Sequence, residues 1–538
     1  MMPFPNAPAA HTTGLPVDRP VAMRLPEDLP EPGLLVGWSL EQEHRRQPVG
    51  FSFGNPQLTP DKGWLDPILL ESEGHIITIA PTGTGKGRGC IIPALLRHEG
   101  PVIVIDPKGE NVAVTARRRR DMGQQVVVLD PMGITGEPAG GFNPLDLIDA
   151  HSAGAVDLAT MFADAMIDGK ADPENQYWYQ RAQHLLTGIF LHLASRPGTG
   201  ERSFAKARGF LADVMAEQRL EPQFRQATNE MLASPHPEAR LAASVLQSSA
   251  TEGLGSILSM TQDGVDFLRG PLIERAIETS TFDLDAVTRG DPLSIYIVLP
   301  PHMMESHGRL LRLWVMALIS LITRRRGKPA RSTLFILDEA AQLGTLPQLR
   351  QAVTLLRGYG LQCWSLWQDV SQLRRLYPND WETMVNNCRV VQCFGALNLM
   401  AAGAMAQLTG FGDAQAVLDL DNSEMLLQIA GDRAMRARKP DYLTDPPFAG
   451  LFDANPYHDP DQPIMPEPEP RVTLLPPPPP TPPVPAADVP GEAPPAGNSF
   501  IEELRRLEEE NQRRRRESEE RAALPDPLHA KVWKDQAS

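Results

Sequence analysis

One segment constrains this chain more than any other. Ile76-Ile77-Thr78-Ile79 is an apolar strand signal, and it runs straight into Ala80-Pro81-Thr82-Gly83-Thr84-Gly85-Lys86-Gly87. The stretch from Gly89 to His98 then reads as a helix. A glycine-rich turn between strand and helix lets successive backbone N–H groups converge on phosphate oxygens, and the helix N-terminus adds partial positive charge. The candidate nucleotide contacts are Pro81, Thr82, Gly83, Thr84, Gly85, Lys86 and Gly87, with Lys86 able to reach the β- and γ-phosphates. The cofactors implied are ATP and Mg2+. Two positions depart from the usual pattern. Ala80 replaces a glycine. Gly87 replaces the Ser or Thr that normally binds Mg2+, so the metal needs another hydroxyl, such as Thr84, or waters held by a carboxylate.

A second motif completes the chemistry. Thr333-Leu334-Phe335-Ile336-Leu337 is an apolar strand ending in Asp338-Glu339. Asp338 at the strand tip is the candidate metal ligand, and Glu339 is the candidate catalytic base that polarises an attacking water. Gln368 follows the strand signal Leu361–Leu366 and is placed to sense the γ-phosphate. Arg357 precedes that strand; in a ring it would reach a neighbour's nucleotide and offset transition-state charge.

The strand signals define the fold class. Val102–Ile105, Val126–Leu129, Ser294–Leu299, Leu361–Leu366 and Val390–Phe394 are continuous apolar runs alternating with helical ones, as in a parallel sheet covered on both faces. Between them, residues 152–286 carry amphipathic helices without strands, including Tyr177–Leu193 and Leu241–Met260, the latter interruptible at Gly253 and Gly255. The expected class is therefore α/β, with an inserted all-α domain. The expected organisation is a disordered N-terminal segment (1–33), a first motor part carrying the phosphate loop (34–151), the all-α insertion (152–286), and a second motor part (287–452). A Pro-rich linker (453–498) and a charged C-terminal helix and tail (499–538) follow. The 53 prolines, about twice the usual share, concentrate in that linker, with five in a row at Pro476–Pro480. Ser499 and Glu502 form a capping-box pattern ahead of an Ile501/Leu504/Leu507 stripe.

Composition narrows the function classes. A net charge of −16 argues against a protein that coats DNA through bulk charge, though not against a local basic channel. Four cysteines with no Cys-x-x-Cys pair exclude a disulfide scaffold and argue against zinc, in keeping with a reducing, cytoplasmic compartment. No signal peptide is expected. The most apolar run, Leu313–Ile322, is half the roughly 20 residues a membrane span needs and reads as a buried helix.

Ala80–Gly89, with its Gly-Lys-Gly core, resembles the phosphate loop of the TraG-type coupling proteins of type IV secretion and conjugation. Asp106-Pro107-Lys108-Gly109-Glu110, Phe142-Asn143-Pro144-Leu145, Ile336–Ala340, Gly360-Leu361, Gln368, Gln372-Leu373 and Lys439-Pro440-Asp441-Tyr442 agree in order and spacing over about residues 34–450. The resemblance implies a RecA-like motor with a central parallel sheet and an all-α insertion. It implies a homo-hexameric ATPase that passes relaxase-bound single-stranded DNA, or secreted effector proteins, to a type IV secretion channel at the cytoplasmic face of the bacterial inner membrane. By position, Lys86, Asp338, Glu339, Gln368 and Arg357 match the family's nucleotide-binding, catalytic, sensor and arginine-finger residues. Members usually begin with spanning helices, which this sequence does not show. A non-hydrolytic nucleotide-dependent docking platform, and a DNA pump or helicase of the same motor class, are the alternatives.

Overall fold

The computed structural model of the chain describes residues 25–29, 33–40, 65–71, 73–167, 175–198, 201–217, 225–247 and 253–456. The Pro-rich linker beyond residue 456, the Ser499 capping pattern and the Ile501/Leu504/Leu507 stripe lie outside them.

The strands are β1 (Leu34–Ser39), β2 (Pro67–Leu70), β3 (His75–Ile79), β4 (Val102–Ile105), β5 (Gln125–Leu129), β6 (Leu293–Ile297), β7 (Thr333–Leu337), β8 (Leu361–Trp367), β9 (Cys388–Cys393), β10 (Glu424–Ile429) and β11 (Met435–Arg438). They form one 11-stranded sheet in the order β2-β1-β11-β10-β9-β3-β8-β7-β4-β6-β5. From β9 to β5 every neighbouring pair is parallel. Strands β3, β4, β6, β7 and β8 are buried along their whole length, which is why each is predominantly apolar and carries no charged residue. The other edge, β10, β11, β1 and β2, is antiparallel. Within it β11 carries no strand signal in the sequence, because Met435-Arg436-Ala437-Arg438 buries only Ala437.

Helices cover both faces. α1 (Ile92–Arg97) and α2 (Glu110–Asp121) follow β3 and β4. Between β5 and β6 run α3 (Ala155–Met166), α4 (Gln176–Ala194), α5 (Phe204–Glu217), α6 (Gln226–Leu232), α7 (Pro237–Gln247), α8 (Leu254–Val265), α9 (Pro271–Ala276) and α10 (Leu284–Arg289). The Leu241–Met260 run is thus divided between α7 and α8. At the break, a Cβ on Gly253 would lie 2.3 Å from the Trp178 ring, so a larger residue there would require the ring to move. Phe162, Phe190 and Phe204 form the aromatic centre of the helical layer. Asn143 ties that layer to the sheet: its Oδ1 accepts from the amides of Leu145 and Phe204, both at 3.2 Å, and its Nδ2 donates to the Arg202 carbonyl at 2.7 Å. Leu313–Ile322 lies inside α11 (Met304–Thr323), a buried helix as expected. The remaining helices are α12 (Pro347–Leu355), α13 (Val370–Leu376), α14 (Trp381–Asn386), α15 (Leu399–Thr409) and α16 (Ala414–Leu418).

Two stretches are more ordered than composition suggested. Leu29, within the segment expected to be disordered, is buried against Trp38 and Phe448 in a small third core. Asp453 and Asn455, at the start of the expected linker, pack on α2. The Asp453 amide donates to the Val114 carbonyl at 3.0 Å, and Asn455 Nδ2 donates to Glu110 Oε1 at 2.6 Å. Among the described residues, no helix is long and apolar enough to cross a membrane, and no His, Cys, Asp and Glu cluster could hold a metal ion. All four cysteines are buried and unpaired.

Candidate nucleotide-binding and catalytic site

The neighbouring strands β3, β8, β7 and β4 end on the same edge of the sheet, so Ala80, Gln368, Asp338 and Asp106 emerge side by side. In open α/β sheets the carboxyl edge, where chain connections diverge, is where ligands bind. Here β3 leads to β4 across two intervening strands.

Leaving β3, the loop turns through Gly83 at φ +81° and Gly85 at φ +88°, left-handed values that side chains resist. One wide π turn, Gly87–Ile91, then leads into α1. Such turns concentrate at functional sites. Lys86 is 8% exposed. Its ammonium donates to the Ala80 carbonyl and to Glu339 Oε1, both at 3.1 Å. Gln368 Nε2 donates to the other oxygen, Glu339 Oε2, at 2.8 Å. The Glu339 carboxylate is therefore held between the loop lysine and the amide at the tip of β8.

Glu339 is also the only non-glycine among the described residues with positive φ, at 57°. That backbone costs about 1–2 kcal/mol, and strain of this kind gathers where function over-determines geometry. Beside it, Asp338 Oδ1 is buried without a hydrogen-bond partner. Burial pushes the Asp338 carboxyl up to about 6, the Glu339 charge adds to this, and Lys86 opposes it. A cation would satisfy the orphaned oxygen, so the residues fit Mg2+, and the left-handed loop with its buried lysine fits a phosphate chain.

The family described as "Type IV secretory system Conjugative DNA transfer" matches residues 40–411. The chain belongs to that family. Conjugal transfer protein TraG of Escherichia coli is 29% identical over 356 residues, covering 62% of this chain and 55% of that protein. Protein VirD4 of Rhizobium radiobacter is 25% identical over 337 residues, covering 59% and 45%. The chain thus spans about half the length of these curated relatives. The solved structure of the bacterial conjugative coupling protein TrwB, in complex with sulphate, superposes with a TM-score of 0.52 at 16% identity, covering 68% of this chain and 86% of that one. That likeness shows the fold: a RecA-type α/β domain with a large mixed sheet.

Not every candidate residue of this family member enters the bonded set. The Thr84 hydroxyl donates within the loop, to the Pro81 carbonyl at 2.7 Å. Arg357 stands apart. It lies in the short turn Leu356–Tyr359 that precedes β8, exposed at the amino edge of the sheet. Its charge is felt by Glu73, just before β3, and by His75 at the start of β3.

Two groups at the site were not assigned chemistry from sequence. Asp106, at the tip of β4, accepts from the Val112 amide at 2.9 Å and from Asn111 Nδ2 at 3.2 Å, so it caps the start of α2. Burial pushes its carboxyl up to about 7 despite those bonds. The second group is Lys439-Pro440-Asp441, which lies against the phosphate loop. Lys439 donates to the Thr84 carbonyl at 2.8 Å, and Asp441 takes Arg88 through both carboxylate oxygens at 2.7 and 2.5 Å. The Lys-Pro-Asp-Tyr segment was visible in the sequence, but its place at the loop was not.

Proposed function

We propose that this chain is the ATP-hydrolysing motor of a conjugative type IV secretion machine, and that it acts as a coupling protein. The observation that carries the reading is the Lys86–Glu339–Gln368 chain of bonds beside the unpartnered Asp338 oxygen. Lys86 holds the β- and γ-phosphates. Asp338 would hold Mg2+, directly or through water, with the Thr84 hydroxyl as the candidate loop ligand. When bound there, Mg2+ would supply charge neutralisation on the phosphates and the leaving oxygen. Glu339 accepts a proton from the attacking water. Gln368, bonded to Glu339 at rest, reports whether the γ-phosphate is present. An assembled catalytic carboxylate favours hydrolysis over a purely nucleotide-gated docking role.

Arg357 lies too far from its own loop to act there, at the opposite end of β8. A homo-hexameric ring would let it serve the neighbouring subunit's nucleotide. The cargo in this reading is relaxase-bound single-stranded DNA or a secreted effector, delivered to channel components at the cytoplasmic face of the inner membrane. The TraG relatives are named for conjugal transfer, which supports a transfer role here.

The test is phosphate release by the full chain with and without single-stranded DNA, alongside Lys86→Ala. Hydrolysis that single-stranded DNA stimulates and Lys86→Ala abolishes is the expected outcome. Near-wild-type turnover in Lys86→Ala would remove the assignment of the loop.

A further inference from the structure

Lys439 is the second cation of the phosphate loop, but it stands behind the loop. Its side chain is nearly buried, at 9% exposed. The ammonium sits 4.3 Å from the centre of the Phe394 ring and donates to the Thr84 carbonyl at 2.8 Å. A Cβ built on Gly85 would lie 3.8 Å from that ammonium, so Lys439 touches the loop where its backbone turns left-handed. The contact is part of a larger clamp. A Cβ on Gly89 would meet the Pro440 carbonyl oxygen at 3.2 Å, so the first turn after the loop lies directly on this segment. Asp441 holds Arg88 in the same turn. Asp445 then anchors the clamp to the sheet, accepting from Trp38 Nε1 at 2.9 Å, the Asp441 amide at 2.9 Å and Arg438 at 2.7 Å.

Resting on the reading of Ala80–Gly87 as a nucleotide phosphate site, we propose that Lys439 is a positioning residue for nucleotide binding. It braces the Thr84–Gly85 peptide from behind and makes the Gly85 amide a stronger donor to phosphate. The chemistry follows from amide polarisation. A cation bonded to a carbonyl draws electron density through the peptide, and the N–H on the same peptide becomes a better donor. The Thr84 carbonyl and the Gly85 N–H belong to one peptide unit. The need follows from Gly87, which removes the hydroxyl that a Ser or Thr would add to the cradle. Burial costs the Lys439 ammonium hydration and lowers its pKa, and the carbonyl and the aromatic face replace part of that hydration. A lysine used only to seal the surface would have no reason to carry its charge this deep.

The experiment uses the full chain with fluorescent N-methylanthraniloyl-ADP and Mg2+, comparing wild type, Lys439→Met, Lys439→Arg and Lys86→Ala. Steady-state hydrolysis and melting temperature are recorded for each. Lys439→Met should weaken binding of the probe about tenfold and raise KM for ATP similarly, while kcat falls less than threefold, because Glu339 and Gln368 are untouched. Lys439→Arg should recover part of the affinity, since it keeps charge and a donor. If Lys439→Met fails to fold, Lys439→Gln keeps a donor without charge and should show the same rise in KM. Unchanged affinity in folded Lys439→Met or Lys439→Gln, or a loss confined to kcat, overturns the proposal. Lys86→Ala separates the two ideas. If it too binds the probe normally, the loop reading has failed, whereas normal binding by Lys439→Met alone removes only the brace.

Discussion

Replacing Glu339 with glutamine tests the site most directly, because geometry and charge come apart in that variant. The wild-type carboxylate accepts from Lys86 at 3.1 Å and from Gln368 at 2.8 Å. In Glu339→Gln the new amide oxygen still accepts from Lys86. The new amide nitrogen would face the Gln368 amide nitrogen, but rotating the Gln368 amide by half a turn restores a donor–acceptor pair. Both bonds therefore persist, and what is lost is charge. A charge-assisted bond is roughly twice as strong as a neutral one, so the apo protein should lose about 1–2 kcal/mol in total. In a body this large that moves the melting temperature by only a few degrees. Nucleotide binding should hold or tighten, by up to about tenfold, or about 1.4 kcal/mol, because Lys86 no longer gives up a carboxylate partner to meet phosphate. Turnover should fall about 100- to 10,000-fold, the usual contribution of a positioned general base. Phosphate release, probe binding and differential scanning fluorimetry on one preparation read all three. Weaker nucleotide binding in this variant would refute the reasoning, since Glu339 would then be holding the loop together rather than competing for its lysine.

Other outcomes follow from the same geometry. Arg357→Ala should reduce turnover about 10³–10⁵-fold if it acts across a ring interface, and adding inactive Lys86→Ala subunits should partly restore it; a mixture no more active than the sum of its parts removes the finger. His98 is pushed down to about 3, first by burial and then by Arg119, so the folded state keeps it neutral while the unfolded chain binds a proton below pH 6.5. The stability it contributes is present above that pH and drains as pH falls toward 3, so the loss in melting temperature between pH 7.5 and 4.5 should be smaller in His98→Gln than in wild type; equal losses would exclude His98 as a source of acid sensitivity. Truncation after Pro456 should leave melting temperature and DNA-stimulated hydrolysis nearly unchanged while transfer in cells drops. Truncation after Phe452 should cost stability, because it removes the Asp453 and Asn455 bonds to α2; equal melting temperatures for the two truncations would refute that boundary.

The legibility of this chain divides along a physical line. Lys86, Asp338, Glu339 and Gln368 could be read from sequence because each follows a strand that is buried on both faces. A buried parallel strand is a mostly apolar run, and its carboxyl end marks the ligand edge. The antiparallel edge gave no such signal. β11 is four residues long with two arginines, and it pairs β1 only through Trp38 and Ser39. Yet that edge delivers Lys439 and Asp441 to the phosphate loop, and no local pattern could announce a bond between residues 355 positions apart. The left-handed backbone at Glu339 was hidden for a different reason. Glycine advertises positive φ, whereas nothing local marks a glutamate that adopts it while its carboxylate meets the loop Lys86 and Gln368 at the tip of β8. The strain and the two bonds are one fact: the side chain can meet both partners while the backbone is held in that unfavourable turn. Glu339 thus joins the phosphate loop to the segment after β7, which passes through Gly344, at φ 65° five residues on, before α12 begins.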